Sequence, residues 1–134
     1  MITQTATTSF KADLLKAVHD FNTDTFKLAL YVATADLGAN TTVYGTAGET
    51  SGTGYVAGGN TLTGVSVNDA GFVTFTNTTW NPAAFTARGA LIYNSTKSNK
   101  AVAVLDFGSD KTATNTFLVQ MPANTATSAL IRFS

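Results

Sequence analysis

At Thr25 the hydrophobic period of this chain drops from the helical value to two, and beyond it no second amphipathic helix is visible. In TFKLALYVA, Phe26, Leu28, Leu30 and Val32 alternate against Lys27, Ala29 and Tyr31, which predicts a strand with one strongly apolar face. Further strands are expected over 54–57, 61–67, 71–76, 85–94, 100–107, 115–121 and 128–133. Each is short, and most are separated by Gly, Asn, Asp, Ser or Pro. A doubly wound sheet would need helices between the strands. The expected fold is therefore mainly β, an antiparallel, jelly-roll-like sandwich with one N-terminal amphipathic α-helix.

Before Thr25 two segments are legible. Residues 1–8 are polar and Thr-rich and read as an extended arm outside the core, leaving 9–134 as a single domain. Ser9 is the candidate helix cap. Phe10, Leu14, Ala17, Val18 and Phe21 follow at helical spacing and share a face, so the helix is expected to run to about Phe21. His19 falls off that face and should be exposed.

The run GETSGTGYVAGGNTLTG raises the question of phosphate binding. Gly52, Gly54 and Gly58 give G-x-G-x-x-x-G, one residue longer than the dinucleotide fingerprint, and a strand pattern follows instead of a helix. A P-loop would need a lysine that the run lacks. The expectation is structural, with AGGN at 57–60 turning a hairpin between Tyr55-Val56 and 61–67. A lone histidine cannot build a His/His or His/Cys metal set, and there are no cysteines. Asp106 and Asp110 are too sparse for a calcium loop and too unspecific for a glycosidase pair. A structural pairing of Arg88 with Asp106 across adjacent strands is expected instead, with Glu49 as a competing partner. No catalytic residue, cofactor or metal is assigned.

Tyr31, Tyr55, Trp80 and Tyr93 are candidate interface aromatics, weighed as core or subunit contacts against a sugar-stacking role. Only 12% of the residues are charged, with eight basic and eight acidic side chains. The usual share is about 25%. Such a surface repels copies of itself weakly, which favours self-association or docking on a larger body. The absence of a clustered basic patch argues against nucleic acid. The N-terminal segment has no signal-peptide pattern, and no apolar run is long enough to span a membrane as a helix.

Several segments together resemble a group of small tailed-bacteriophage structural proteins. They are SGTGYVAGG, TARGALIYN, AVAVLDFG and the C-terminal ALIRF, within a likeness covering most of residues 10–133. The resemblance implies a non-enzymatic virion component present in many copies, assembled in the bacterial host cytoplasm. Its partners would be copies of itself and the major capsid protein or other virion proteins. A capsid decoration or cement protein is the leading expectation. A tail or head–tail accessory protein and a module binding host-surface carbohydrate are the alternatives.

Overall fold

The computed structural model describes residues 1–123, 125 and 127–132. The fold is mainly β and antiparallel. A five-stranded sheet has the order β1-β8-β7-β2-β3. Its strands are β1 (Thr5–Ala6), β2 (Phe26–Tyr31), β3 (Asn60–Thr61), β7 (Phe85–Asn94) and β8 (Lys100–Ala113). Two smaller sheets accompany it. One joins β4 (Ser66–Asn68), β5 (Phe72–Thr74) and β10 (Ile131–Arg132), and the other joins β6 (Thr78–Trp80) to β9 (Phe117–Val119).

The main core gathers one face of the large sheet and residues of both small sheets. Leu28, Leu30, Ile92 and Val102 meet Val73, Phe75, Trp80, Phe117, Val119 and Ile131 there. This apposition of sheet faces around one apolar layer is what the alternating pattern demands. The opposite face of β2 and β7 is not left to solvent. Ala29, Tyr31, Leu91 and Tyr93 form a second core with Ile2, Ala35 and Leu37. The single apolar face expected for β2 is thus corrected: both faces are covered, and the strand is nearly buried throughout.

That second layer also corrects the expected arm. Ile2 is buried, β1 pairs antiparallel with β8, and Thr7 is fully enclosed. The physical reason lies opposite Ile2: Gly89 has no side chain, and a Cβ there would run into Ile2. The chain start fills that space.

The helix α1 (Thr8–Leu15) is shorter than its periodicity predicts. Its cap is Thr7 and not Ser9, because Thr7 Oγ1 accepts from Phe10 N at 3.1 Å. It stops because Ala17 adopts a left-handed φ of 59°. Val18 N then bonds Asp13 O at 2.9 Å and Ala17 N bonds Leu14 O at 3.1 Å, a Schellman ending. The chain reverses there and carries His19 inward, so His19 is buried, contrary to its expected exposure.

Strand β7 occupies the span its pattern predicts, while β8 runs on to Ala113, past its expected end at residue 107. Residues 54–57 are not a strand. The AGGN turn does form, with Gly59 N bonding Val56 O at 3.0 Å, but β3 beyond it pairs with β2 rather than with Tyr55-Val56. The C-terminal ALIRFS segment supplies β10, whose Ile131 is buried, and Phe133 and Ser134 lie outside the described residues.

Candidate functional site

The sequence-predicted site residues and their surroundings fall at a carboxylate–tyrosine knot, at an arginine bridge over a bulge and near an open apolar cleft.

The knot is centred on Glu49. Its Oε1 accepts from Tyr44 OH at 2.6 Å, and its Oε2 accepts from Tyr55 OH at 2.5 Å and Gly58 N at 2.8 Å. Tyr55 OH in turn accepts from Leu30 N at 2.9 Å. Tyr93 OH donates to Gly58 O at 2.7 Å and Tyr31 OH donates to Gly45 O at 2.6 Å. Four phenols and one carboxylate thereby tie residues 44–59 to β2 and β7. Burial, reinforced by the Glu49 charge, pushes Tyr31, Tyr44, Tyr55 and Tyr93 above the usual phenol range. They are held as protonated donors, which suits anchoring and does not suit phenolate chemistry.

The glycine run serves the same seat. Gly54 and Gly59 have φ values of 87° and 78°. A Cβ at Gly54 would overlap the Pro82 carbonyl, and one at Gly59 would overlap the Leu28 carbonyl. These close approaches bring carbonyl oxygens, not N–H donors, to the glycines. A phosphate would meet repulsion there.

Of the four candidate interface aromatics, Tyr31, Trp80 and Tyr93 are buried and Tyr55 is half-buried. None of the three buried rings lines an outer face. They are core and anchoring residues of the chain itself, in line with the core side of the expectation and not its subunit-contact side. Trp80 packs edge-on against Phe85 and Phe117, with centroids 6.3 Å and 6.1 Å away.

Arg88 bridges a bulge. Ala87 pairs with Lys111 and Gly89 with Asp106, so Phe107 to Asp110 face Arg88 alone. Arg88 Nε lies 3.6 Å from Asp106 Oδ1, and its Nη1 lies 3.7 Å from Asp110 Oδ1. The expected Arg88–Asp106 pairing is thus present, and with the arginine side chain 36% exposed it is a solvated pair. Glu49 does not compete for it, being committed to its tyrosines.

The cleft was not legible in the sequence. It measures about 1280 Å³ and opens between β1, the outer part of β8, the β9 segment and β10. Leu105, Phe107, Met121 and Leu130 line it half-buried, and Leu118 is 51% exposed. Its charged lining residues are Lys111 and Arg132, with no carboxylate among the described residues that line it. Only the β9 segment, where the apolar Leu118 takes the outward position between two buried neighbours, hints at it.

Among the described residues no group of three His, Asp or Glu side chains is placed to hold a metal ion, and no helix is long and apolar enough to cross a membrane. The chain matches no protein-family model, no curated protein and no solved structure.

Proposed function

We propose that the protein is a non-enzymatic virion structural protein of a tailed bacteriophage, most specifically a capsid decoration protein that docks on the shell. The observation that carries this is the cleft: half-exposed apolar side chains beside the part of β8 that lies beyond its pairing with β1, rimmed by Lys111 and Arg132 with no carboxylate among the described residues that line it. That chemistry fits an extended apolar segment bearing an acidic side chain, supplied by the major capsid protein. Strand-like segments dock in such grooves by main-chain pairing plus side-chain pockets. A chain with few surface charges adds little repulsion to repeated docking. Many weak contacts on one shell then sum by avidity. The carbohydrate-binding alternative draws no support from Trp80, Tyr31 or Tyr93, because those rings are enclosed.

Quantitative mass spectrometry of virions that encode the chain tests the reading. A copy number in the hundreds is expected, whereas tens or fewer would move the protein to the head–tail junction or tail. Absence from the particle would overturn the proposal. Leu118→Asp and Lys111→Glu, both at exposed positions, are expected to lower occupancy on the capsid while leaving the monomer folded. Self-association lost in these variants with capsid occupancy retained would identify a second copy as the occupant instead.

A further inference from the structure

A second polar knot, independent of the docking reading, closes the end of the core beneath α1. His19 is the chain's only histidine, and its side chain is fully enclosed. The ring lies 5.1 Å from Phe10 and 6.3 Å from Phe26 between centroids. Its Nδ1 is 3.0 Å from Asn94 Nδ2 at the end of β7.

The Asn94 amide has one workable orientation. Its Oδ1 accepts from Thr96 N at 3.0 Å and Lys97 N at 3.2 Å, which caps the 3-10 turn Ser95–Lys97. Its Nδ2 donates to Asp24 Oδ2 at 2.8 Å. An amide nitrogen has two hydrogens and no acceptor lone pair. One hydrogen goes to Asp24, so the other goes to His19, and Nδ1 is the bare, accepting nitrogen. The ring is neutral with its proton on Nε2. That Nε2–H has no hydrogen-bond partner among the described residues, and Asp13 Oδ2 stands 4.0 Å away.

A proton arriving at Nδ1 would face a donor. Relief requires Asn94 to turn over or the ring to leave. Turning over takes Oδ1 from the two backbone N–H groups and sets it against the Asp24 carboxylate. Either change loosens residues 17–24, whose other ties to the fold are the Schellman bonds of Ala17 and Val18, the Lys97 contacts and the Phe21 ring. Lys97 Nζ donates to Val18 O at 2.8 Å and to Asp24 Oδ2 at 3.0 Å, and Phe21 stacks on Phe26 at 4.6 Å. The segment belongs to no sheet, and Ala17, Asp20, Asn22 and Thr23 are exposed.

We infer that His19 and Asn94 form an acid-operated latch: protonation of His19 releases residues 17–24 and uncovers the Phe10, Phe21, Phe26 and Phe75 cluster, while the five-stranded sheet stays folded. Burial is the largest influence on the ring and holds it below its ordinary value of 6.5. Asp13 from α1 and Asp24 from the loop favour the charged ring, and Lys97 from the 3-10 turn and Lys100 from β8 oppose it. Asp20 is engaged elsewhere, its Oδ1 accepting from Asn22 N at 2.9 Å. The released segment binds the proton at higher pH than the closed one. The latch is therefore fully closed above 6.5 and weakens as pH falls below it.

Nitrogen NMR of the single imidazole, combined with amide hydrogen exchange, tests this. At neutral pH the spectrum is expected to show Nδ1 bare and Nε2 protonated. On acidification to about pH 5, protection of residues 17–24, corrected for intrinsic exchange, should fall roughly tenfold while β7 and β8 keep theirs. His19→Phe should abolish the acid dependence. Asn94→Asp combined with Asp24→Asn, which avoids setting two carboxylates 2.8 Å apart, offers Nδ1–H an acceptor and should reverse its direction, which keeps the test decisive even where His19→Phe fails to fold. A protonated Nδ1 at neutral pH, an unchanged acid response in His19→Phe, or simultaneous loss of protection across β7 and β8 would each overturn the latch.

Discussion

Ala17 shows how one residue sets the path of a whole segment. Its φ of 59° ends α1 and turns the chain so that His19 points inward. An alanine in the left-handed region costs roughly 1–2 kcal/mol, because its Cβ crowds the following carbonyl. Glycine avoids that cost but loses more freedom on folding, by about 0.5–1 kcal/mol. The difference predicts that Ala17→Gly raises stability by up to about 1.5 kcal/mol. Urea unfolding with an unchanged slope checks it. A lower midpoint would mean that the alanine methyl makes a contact that outweighs its strain. Ala17 also explains why the helix end was illegible: a Schellman ending is ordinarily signalled by glycine, and here the sequence supplies none. Glu49 was illegible for a related reason. Its three donors come from Tyr44, Tyr55 and Gly58, and nothing in a local pattern says that a loop carboxylate will gather phenols.

At the scale of elements, the cap of α1 separates two accounts of where the helix begins. Ser9 suits the part by type, yet Thr7 performs it, fully buried, with its Oγ1 on Phe10 N. Thr7→Ala is expected to cost about 1–2 kcal/mol, and Ser9→Ala to stay within about 0.5 kcal/mol. Thermal or urea unfolding of the two variants side by side decides between them, and equal losses would defeat the assignment. The strands divide in the same instructive way. β2 and β7 were legible because their apolar residues alternate or run on without a break, and their pairing is continuous from Phe26 with Asn94 to Tyr31 with Gly89. The glycine run was legible as structure, through the lack of a lysine and of a following helix. It was not legible as a seat, because the partners of Gly54 and Gly59 are carbonyls remote in sequence. β6 went unread because Thr78, Thr79 and Trp80 are too few to show a period. The cleft is a gap between elements, so its lining residues carry no shared signal along the chain.

The whole molecule is organised by the burial of β2 and β7 on both faces. One face meets the smaller sheets, and the other meets the chain start and the segment from Ala35 to Tyr44. A sandwich with a detached arm would take Ile2 out of the layer that covers Ala29, Tyr31, Leu91 and Tyr93. The first residues therefore belong to the fold's second core, and Ile2 is where that claim is most exposed to test. It is 7% exposed and fills the space that Gly89 leaves open. Ile2→Ala removes three methyl or methylene groups from a site closed by backbone on one side, where collapse is restricted. The expected loss is about 2–4 kcal/mol. Thr3→Ala is the control: the Thr3 side chain is exposed, and its backbone bond from Thr3 N to Leu37 O survives the change. Chemical denaturation of both variants measures the difference. If Ile2→Ala proves as silent as Thr3→Ala, the N-terminal segment is not a structural layer. The covering of the second face would then fall to Leu37 and Tyr44 without it.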